Sequence, residues 1–377
     1  MAEKNPWQLL FVDDEEETCR QVKEFLEAEV ITAYDERPQV TTETNFVNAL
    51  TRLENNRFDL AILDVRTGSD VAAGEDETGV RTLQDIQQRQ FVPIVFYTGL
   101  PHIVADLESP LIRIVEKTEG VARLVDVIRD VFATRLPAVN RALVRHLAAV
   151  QRDYMWGFVS QYWNLFGEEK DGSSLAYLLA RRLAMSLAGP GIQQLAEELG
   201  GPLQTAIAEG KVHPMQYYIM PPVFPKPLAG DIYRGTISNK EGYWVLLTPS
   251  CDVVQGKAEW LILAQCFALT DQTEYTEWNA NRSNTKRQQL ESLIANNRRS
   301  KQPERFHFLP KALGLPDLVV DFQQLVSIPA QQLEPMNRVA SLDSPFAEAL
   351  LARFNRYFGR LGTPDLDIQC IINGLQN

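Results

Sequence analysis

The sequence predicts a multidomain protein whose N-terminal third is an α/β doubly wound, five-stranded parallel sheet. Two observations carry this expectation. Five short apolar runs alternate with amphipathic stretches through about residue 135, and strands alternating with helices imply right-handed crossovers and a parallel sheet. Four of those runs also finish at Asp, Thr or Lys, at the carboxyl ends where open parallel sheets collect their function.

The elements follow in order. A strand at 8–13 precedes an amphipathic helix at about 15–28, in which Val22, Phe25 and Leu26 keep helical spacing. A second strand covers 40–44, with a short helix at 46–53. The third strand, 58–64, leads through a polar stretch to a helix at about 79–88. Apolar runs at 91–97 and 111–115 supply the fourth and fifth strands, and a helix at about 120–133 closes the unit.

Asp13 and Asp14 follow the first strand, Asp64 the third, Thr98 the fourth and Lys117 the fifth. Three carboxylates at one sheet edge repel one another unless a cation neutralises them, so the pattern points to a hard divalent ion. Taken singly, a strand-end Asp is a turn residue and a Lys is solvated surface. Their co-occurrence, each at its own strand end, argues against that reading.

In these residues the chain resembles the receiver domain of two-component response regulators, a flavodoxin-like fold. The match lies in Val12-Asp13-Asp14-Glu15, Leu63-Asp64, Tyr97-Thr98-Gly99 and Val115-Glu116-Lys117. The resemblance implies that Asp64 is the phosphoacceptor for a sensor histidine kinase. It implies that Asp13, Asp14, Asp64 and the backbone carbonyl of Arg66 hold Mg²⁺, and that Lys117 and Thr98 contact the phosphoryl oxygens. The chain departs from the family in a long acidic loop over 66–79, in Thr118 after Lys117, and in Ile114, where an aromatic is common. A short interval between Thr98 and Lys117 predicts a reduced fourth helix.

Composition bounds the rest. At 377 residues, 45% apolar and 23% charged, the chain has room for two or three globular domains. No run is long enough to span a bilayer, and the N-terminus lacks the layout of a signal peptide. A cytoplasmic protein without membrane association is expected. Four scattered cysteines and four scattered histidines exclude a disulfide framework or a His-rich metal site. Residues 1–135 hold 26 acids against 14 bases, which accounts for the whole net charge of −12. The remainder holds 23 of each.

Three domains are expected: a receiver at 1–135, an α-helical connector at 136–210, and an α+β output domain at 211–377 built on a small β-barrel or sheet. In the connector, Leu143, Leu147, Val150, Tyr154, Phe158 and Trp163 form an apolar stripe from about 137, followed by helices at 174–188 and 192–199. The stripe suits either core packing or a homodimer. In the output domain, strands are expected at 217–222, 230–235, 243–248, 259–264 and 318–322, with an amphipathic helix at 344–361. Gly230-Asp231-Ile232 and Thr248-Pro249-Ser250-Cys251-Asp252 faintly resemble small-barrel toxin ribonucleases of the MazF/PemK type, without an identifiable catalytic pair. Arg282, Lys286, Arg287, Arg298, Arg299, Lys301 and Arg305 crowd into 281–308 with interleaved aromatics. They suit either a grip on a nucleic-acid backbone or a solvated basic insertion.

These features predict a response regulator in which phospho-Asp64 switches a binding module for a protein or nucleic-acid target. The alternatives are an effector enzyme, a nuclease first, and a pseudo-receiver that acts without phosphorylation.

Overall fold

The computed structural model describes residues 6–31, 37–65, 78–163, 172–187, 209–298, 304–360 and 366–375, with backbone alone over 78–82. The chain divides into two units, Met1–Gln204 and Thr205–Asn377.

The first unit contains β1 (Trp7–Val12), β2 (Pro38–Glu43), β3 (Leu60–Leu63), β4 (Ile94–Thr98) and β5 (Ile112–Glu116). They form one parallel sheet in the order β2-β1-β3-β4-β5. Chain order reverses between β1 and β3, which opens a crevice at their carboxyl ends. The three central strands β1, β3 and β4 are mostly apolar because both faces are covered, whereas the edge strands β2 and β5 carry polar residues and are partly exposed. On one face Leu9, Phe11, Ile62 and Val95 pack on α1 (Glu16–Ala28) and α5 (Gly120–Ala133). On the other, Leu10, Val12, Leu63 and Phe96 meet α2 (Phe46–Asn55) and α3 (Thr78–Arg89). A one-residue slip in β1 would swap these faces, so the core pins the register that sets the strand ends. Between β4 and β5, α4 is a single turn, Pro101–Val104, continued by a 3₁₀ turn at Ala105–Leu107.

Arg135, at φ 64°, breaks the path between α5 and α6 (Leu136–Tyr154). A π-helical turn at Met155–Val159 follows, and α7 is Ser173–Ser186. The helix expected at 192–199 lies outside the described residues. The expected stripe does not pack as one seam. Tyr154 is buried, while Leu143, Phe158 and Trp163 are exposed, and the inward positions near the start of α6 are Pro137 and Ala142.

The second unit is a seven-stranded antiparallel sheet. Its strands are β6 (Tyr218–Ile219), β7 (Asp231–Ile237), β8 (Lys240–Leu246), β9 (Trp260–Ala268), β10 (Phe306–Leu309), β11 (Leu318–Pro329) and β12 (Asn337–Leu342). Their order is β10-β11-β9-β8-β7-β12-β6. Among the described residues no pairing joins the two edge strands, so the sheet is open rather than a barrel. The helices are α8 (Ser250–Val254), α9 (Thr273–Ala280), α10 (Asn284–Ile294), α11 (Phe346–Phe358) and α12 (Ile368–Leu375). Leu350 and Tyr357 of α11 pack on Ile232, Val245, Ala264 and Val320. Leu290 and Leu293 of α10 cover Phe308 and Val319.

Edge strand β10 is capped by side chains. The Phe306 carbonyl accepts from Arg353 Nε at 2.7 Å, and the Phe308 N–H donates to Asn296 Oδ1 at 2.7 Å. These are the outward groups that would otherwise template a foreign strand. Gly230 has a packing reason: at φ 91° a Cβ would come within 3.1 Å of Ala347 Cβ and 3.2 Å of Leu342 Cβ.

Candidate functional site

Register explains why the strand-end residues meet. Val12 lies beside Leu63 in the β1–β3 ladder, so the next residues, Asp13 and Asp64, are neighbours. The ladder continues into them: Asp64 N–H donates to the Val12 carbonyl at 2.9 Å, and Asp13 N–H to the Glu43 carbonyl at 3.1 Å. Thr98 pairs with Glu116 at the end of the β4–β5 ladder, which sets Lys117 one step beyond.

Lys117 Nζ lies 2.7 Å from Asp13 Oδ2 and 2.9 Å from Asp64 Oδ2. Asp13 is fully buried, Asp64 nearly so, and Asp14 is exposed. One carboxylate oxygen from each acid falls within 4.8 Å of the others. Asp13 and Asp64 thus share one ammonium, with Asp14 beside them. Burial raises the Asp64 carboxyl above its ordinary pKa, and Asp13 adds to the rise; the Lys117 hydrogen bond and charge oppose both. For Lys117, burial disfavours the ammonium, but its bonds to Asp13 and Asp64 outweigh this and raise its pKa.

Thr98 is fully buried. Its hydroxyl donates to the Val65 carbonyl at 3.4 Å and accepts from the Leu100 N–H at 3.0 Å, which turns the chain after β4. Thr98 therefore sits on the backbone just after Asp64. Arg66 lies outside the described residues, as do Asp70, Glu75, Asp76 and Glu77. Ile114 is half-buried against the α3 side of the core.

Three supporting residues were missed in the sequence. The Glu15 N–H donates to Asp13 Oδ1 at 3.0 Å, and Cys19 Sγ donates to the Asp13 carbonyl at 3.3 Å. Glu119 Oε2 accepts from the Glu116 N–H at 3.0 Å and closes a capping box around Lys117. The Glu-x-x-Glu spacing was the signal available for that box.

Strand order, a crevice between β1 and β3, and polar residues at the strand ends decide the fold of this part of the chain. The N-terminal unit has the fold of a response-regulator receiver domain. Solved receiver domains are similar to it over about a third of the chain. One from Methylobacillus flagellatus is 16% identical and covers 34% of this chain and 99% of its own, with a TM-score of 0.27. One from Methanospirillum hungatei JF-1 is 18% identical, covering 33% and 93%, also at 0.27. The response regulator TrrA from Thermotoga maritima, solved in complex with Mg²⁺–BeF, is 23% identical and covers 33% and 98%, at 0.27. No protein-family model matches the chain, and no curated protein does.

The second unit distributes its charges differently. Arg298 pairs with Glu274 at 2.6 Å, Arg287 with Glu291 at 2.8 Å, and Arg305 with Asp321 at 2.6 Å. Lys286 pairs with Glu277, and Arg282 lies 3.9 Å over the Trp278 ring. Arg299 and Lys301 lie outside the described residues. Much of the basic segment is α10 with its flanking turns, and several of its acidic partners sit outside 281–308.

Asp231 is fully buried and saturated. It accepts from Ser341 Oγ at 2.6 Å, the Leu228 N–H at 2.8 Å and Arg338 Nη1 at 3.1 Å. Cys251 is exposed on α8, its thiol 3.6 Å from Asp252 Oδ1. Of the motifs that resembled a ribonuclease, Asp231 thus ties the start of β7 to β12 and to the turn before it. No helix among the described residues is long and apolar enough to cross a membrane.

Proposed function

We propose that this chain is a response regulator of a two-component pathway, in which Asp64 accepts a phosphoryl group from a histidine kinase in a Mg²⁺-dependent reaction. The observation that carries the reading is the single ammonium of Lys117 shared by Asp13 and Asp64, with Asp14 within 4.8 Å. The donor set fits Mg²⁺, because it is all oxygen and carries more negative charge than one lysine neutralises. Asp13, Asp14 and Asp64 would hold the ion. Bound there, it would neutralise the acids and draw charge from the phosphoryl oxygens.

In the transfer, a carboxylate oxygen of Asp64 bonds to phosphorus as the P–N bond to the kinase imidazole breaks, and the electron pair leaves with the imidazole. Lys117 moves from the Asp64 carboxylate onto a phosphoryl oxygen. The Thr98 hydroxyl, now on the Val65 carbonyl, turns to another. The new charge is the switch, and the C-terminal unit is a binding module under its control. A second copy of the chain is the proposed partner of the connector, where Trp156, Trp163 and Tyr177 are exposed.

Incubation with acetyl phosphate and Mg²⁺ tests the reading. Wild type gains one phosphoryl group by intact mass and Asp64→Asn gains none. An unmodified wild type contradicts it.

A further inference from the structure

The Lys117 ammonium must stay within reach of two carboxylates at once, 2.7 Å from Asp13 Oδ2 and 2.9 Å from Asp64 Oδ2. A lysine head rides on a flexible stem, so its reach depends on where the backbone beneath it is held. At Lys117 the sheet does little of that holding. The residue follows β5, an edge strand, and belongs to a 3₁₀ turn, Lys117–Glu119.

Two bonds secure the turn on either side of Lys117. Before it, the Glu116 N–H donates to Glu119 Oε2 at 3.0 Å. After it, the Lys117 carbonyl accepts from the Gly120 N–H, and Gly120 turns the chain at φ 82°. The first bond is made by a side chain and can be removed without altering the main chain. Glu119 stands at the N-cap of α5, where a polar side chain ordinarily satisfies a free N–H of the helix. Its side chain makes no such bond. It reaches back to Glu116 instead, while Arg123 Nε lies a loose 3.9 Å from its Oε1.

We infer that Glu119 is a positioning residue for phosphoryl transfer. By holding the Glu116 N–H it fixes the backbone from which Lys117 swings between Asp64 and a phosphoryl oxygen. The inference rests on the reading of Asp64 as the phosphoacceptor. Transfer demands close geometry, and a misplacement of about 1 Å can cost about 10²-fold in rate. A helix cap alone would account for an acid before α5. It does not account for a side chain bonded to the strand end before it.

Time courses of labelling by acetyl phosphate at saturating Mg²⁺, followed by intact mass on the full chain, test the inference. Hydrogen exchange at the Glu116 amide and calorimetric titration of Mg²⁺ accompany them. In Glu119→Ala, labelling should slow about fivefold or more and the Glu116 amide should exchange faster by a similar factor, while Mg²⁺ affinity stays within about twofold of wild type. Glu119→Gln keeps the acceptor and drops the charge. It should label near the wild-type rate with the amide still protected. Glu119 is exposed, so neither change opens the core. Labelling of Glu119→Ala at the wild-type rate overturns the inference. So does a Glu119→Gln as slow as Glu119→Ala, which would assign the effect to charge. A loss of Mg²⁺ affinity as large as the loss of rate also overturns it, because it marks a general loosening of the site. An unlabelled wild type instead contradicts the acceptor reading of Asp64, and the inference falls with it.

Discussion

Asp13 and Asp64 share one ammonium, with Asp14 close by, whereas the described cations of segment 281–308 each have an acid or an aromatic ring of their own. Both regions are dense in charge. In the first the charge is unbalanced and largely buried, and nothing in the sheet requires it. In the second it is locally balanced, and three of its four ion pairs join separate segments. The residual charge, rather than the number of charged residues, marks a place for a ligand.

The comparison can be broken first at Lys117. Lys117→Met leaves two buried carboxylates facing each other, and breaking a buried pair costs about 3–5 kcal/mol. Without divalent cations, urea unfolding should show a loss of that size in the first unit, largely restored by Mg²⁺. An unchanged midpoint, or a loss that Mg²⁺ does not repair, would show that the acids need no cation.

His307 offers a test in the balanced region. Burial first, and the nearby Arg353 charge second, lower its pKa to about 3 from an ordinary 6.5. Above about pH 6.5 the imidazole is neutral in both folded and unfolded chains and contributes no pH dependence. As pH falls from 6.5 towards 3, the unfolded chain takes up a proton that the folded core refuses, so stability drops across that window. Thermal melts should show this slope in wild type and lose it in His307→Gln. Parallel curves for the two would mean that His307 is not held neutral.

Smaller effects follow at the sheet edge and the surface. Arg353→Leu uncaps the Phe306 carbonyl, which should cost about 1–3 kcal/mol and raise self-association by light scattering. A monomeric variant of wild-type stability would show that the edge needs no such cap. Arg287→Ala removes one exposed pair and should change stability by less than about 1 kcal/mol. A larger loss would mean that the basic segment is not merely paired surface.

The strands of the first unit were legible because the central three are buried on both faces and four of the five end beside a residue with one evident use. Asp13, Asp14, Asp64, Thr98 and Lys117 could be named from position alone, since a parallel sheet gathers its strand ends. The reduced α4 was legible from the short interval between Thr98 and Lys117. Other features depend on partners distant in sequence. Glu274, Glu277 and Asp321 neutralise cations up to 24 residues away, and α10 was hidden in a segment dominated by Asn, Gln and Arg. Strands β10 and β12 are short, and Asn337-Arg338 opens the latter with polar residues. The fastening of Arg141 to Asp59 spans 82 residues, and no local pattern announces it.

Borohydride trapping tests the central claim most directly, because it reduces an aspartyl phosphate to homoserine and fixes its position. After acetyl phosphate and Mg²⁺, peptide mapping should find homoserine at position 64 and at neither Asp13 nor Asp14. Homoserine at Asp13 or Asp14, or none anywhere in the chain, would contradict the assignment of Asp64 as the acceptor.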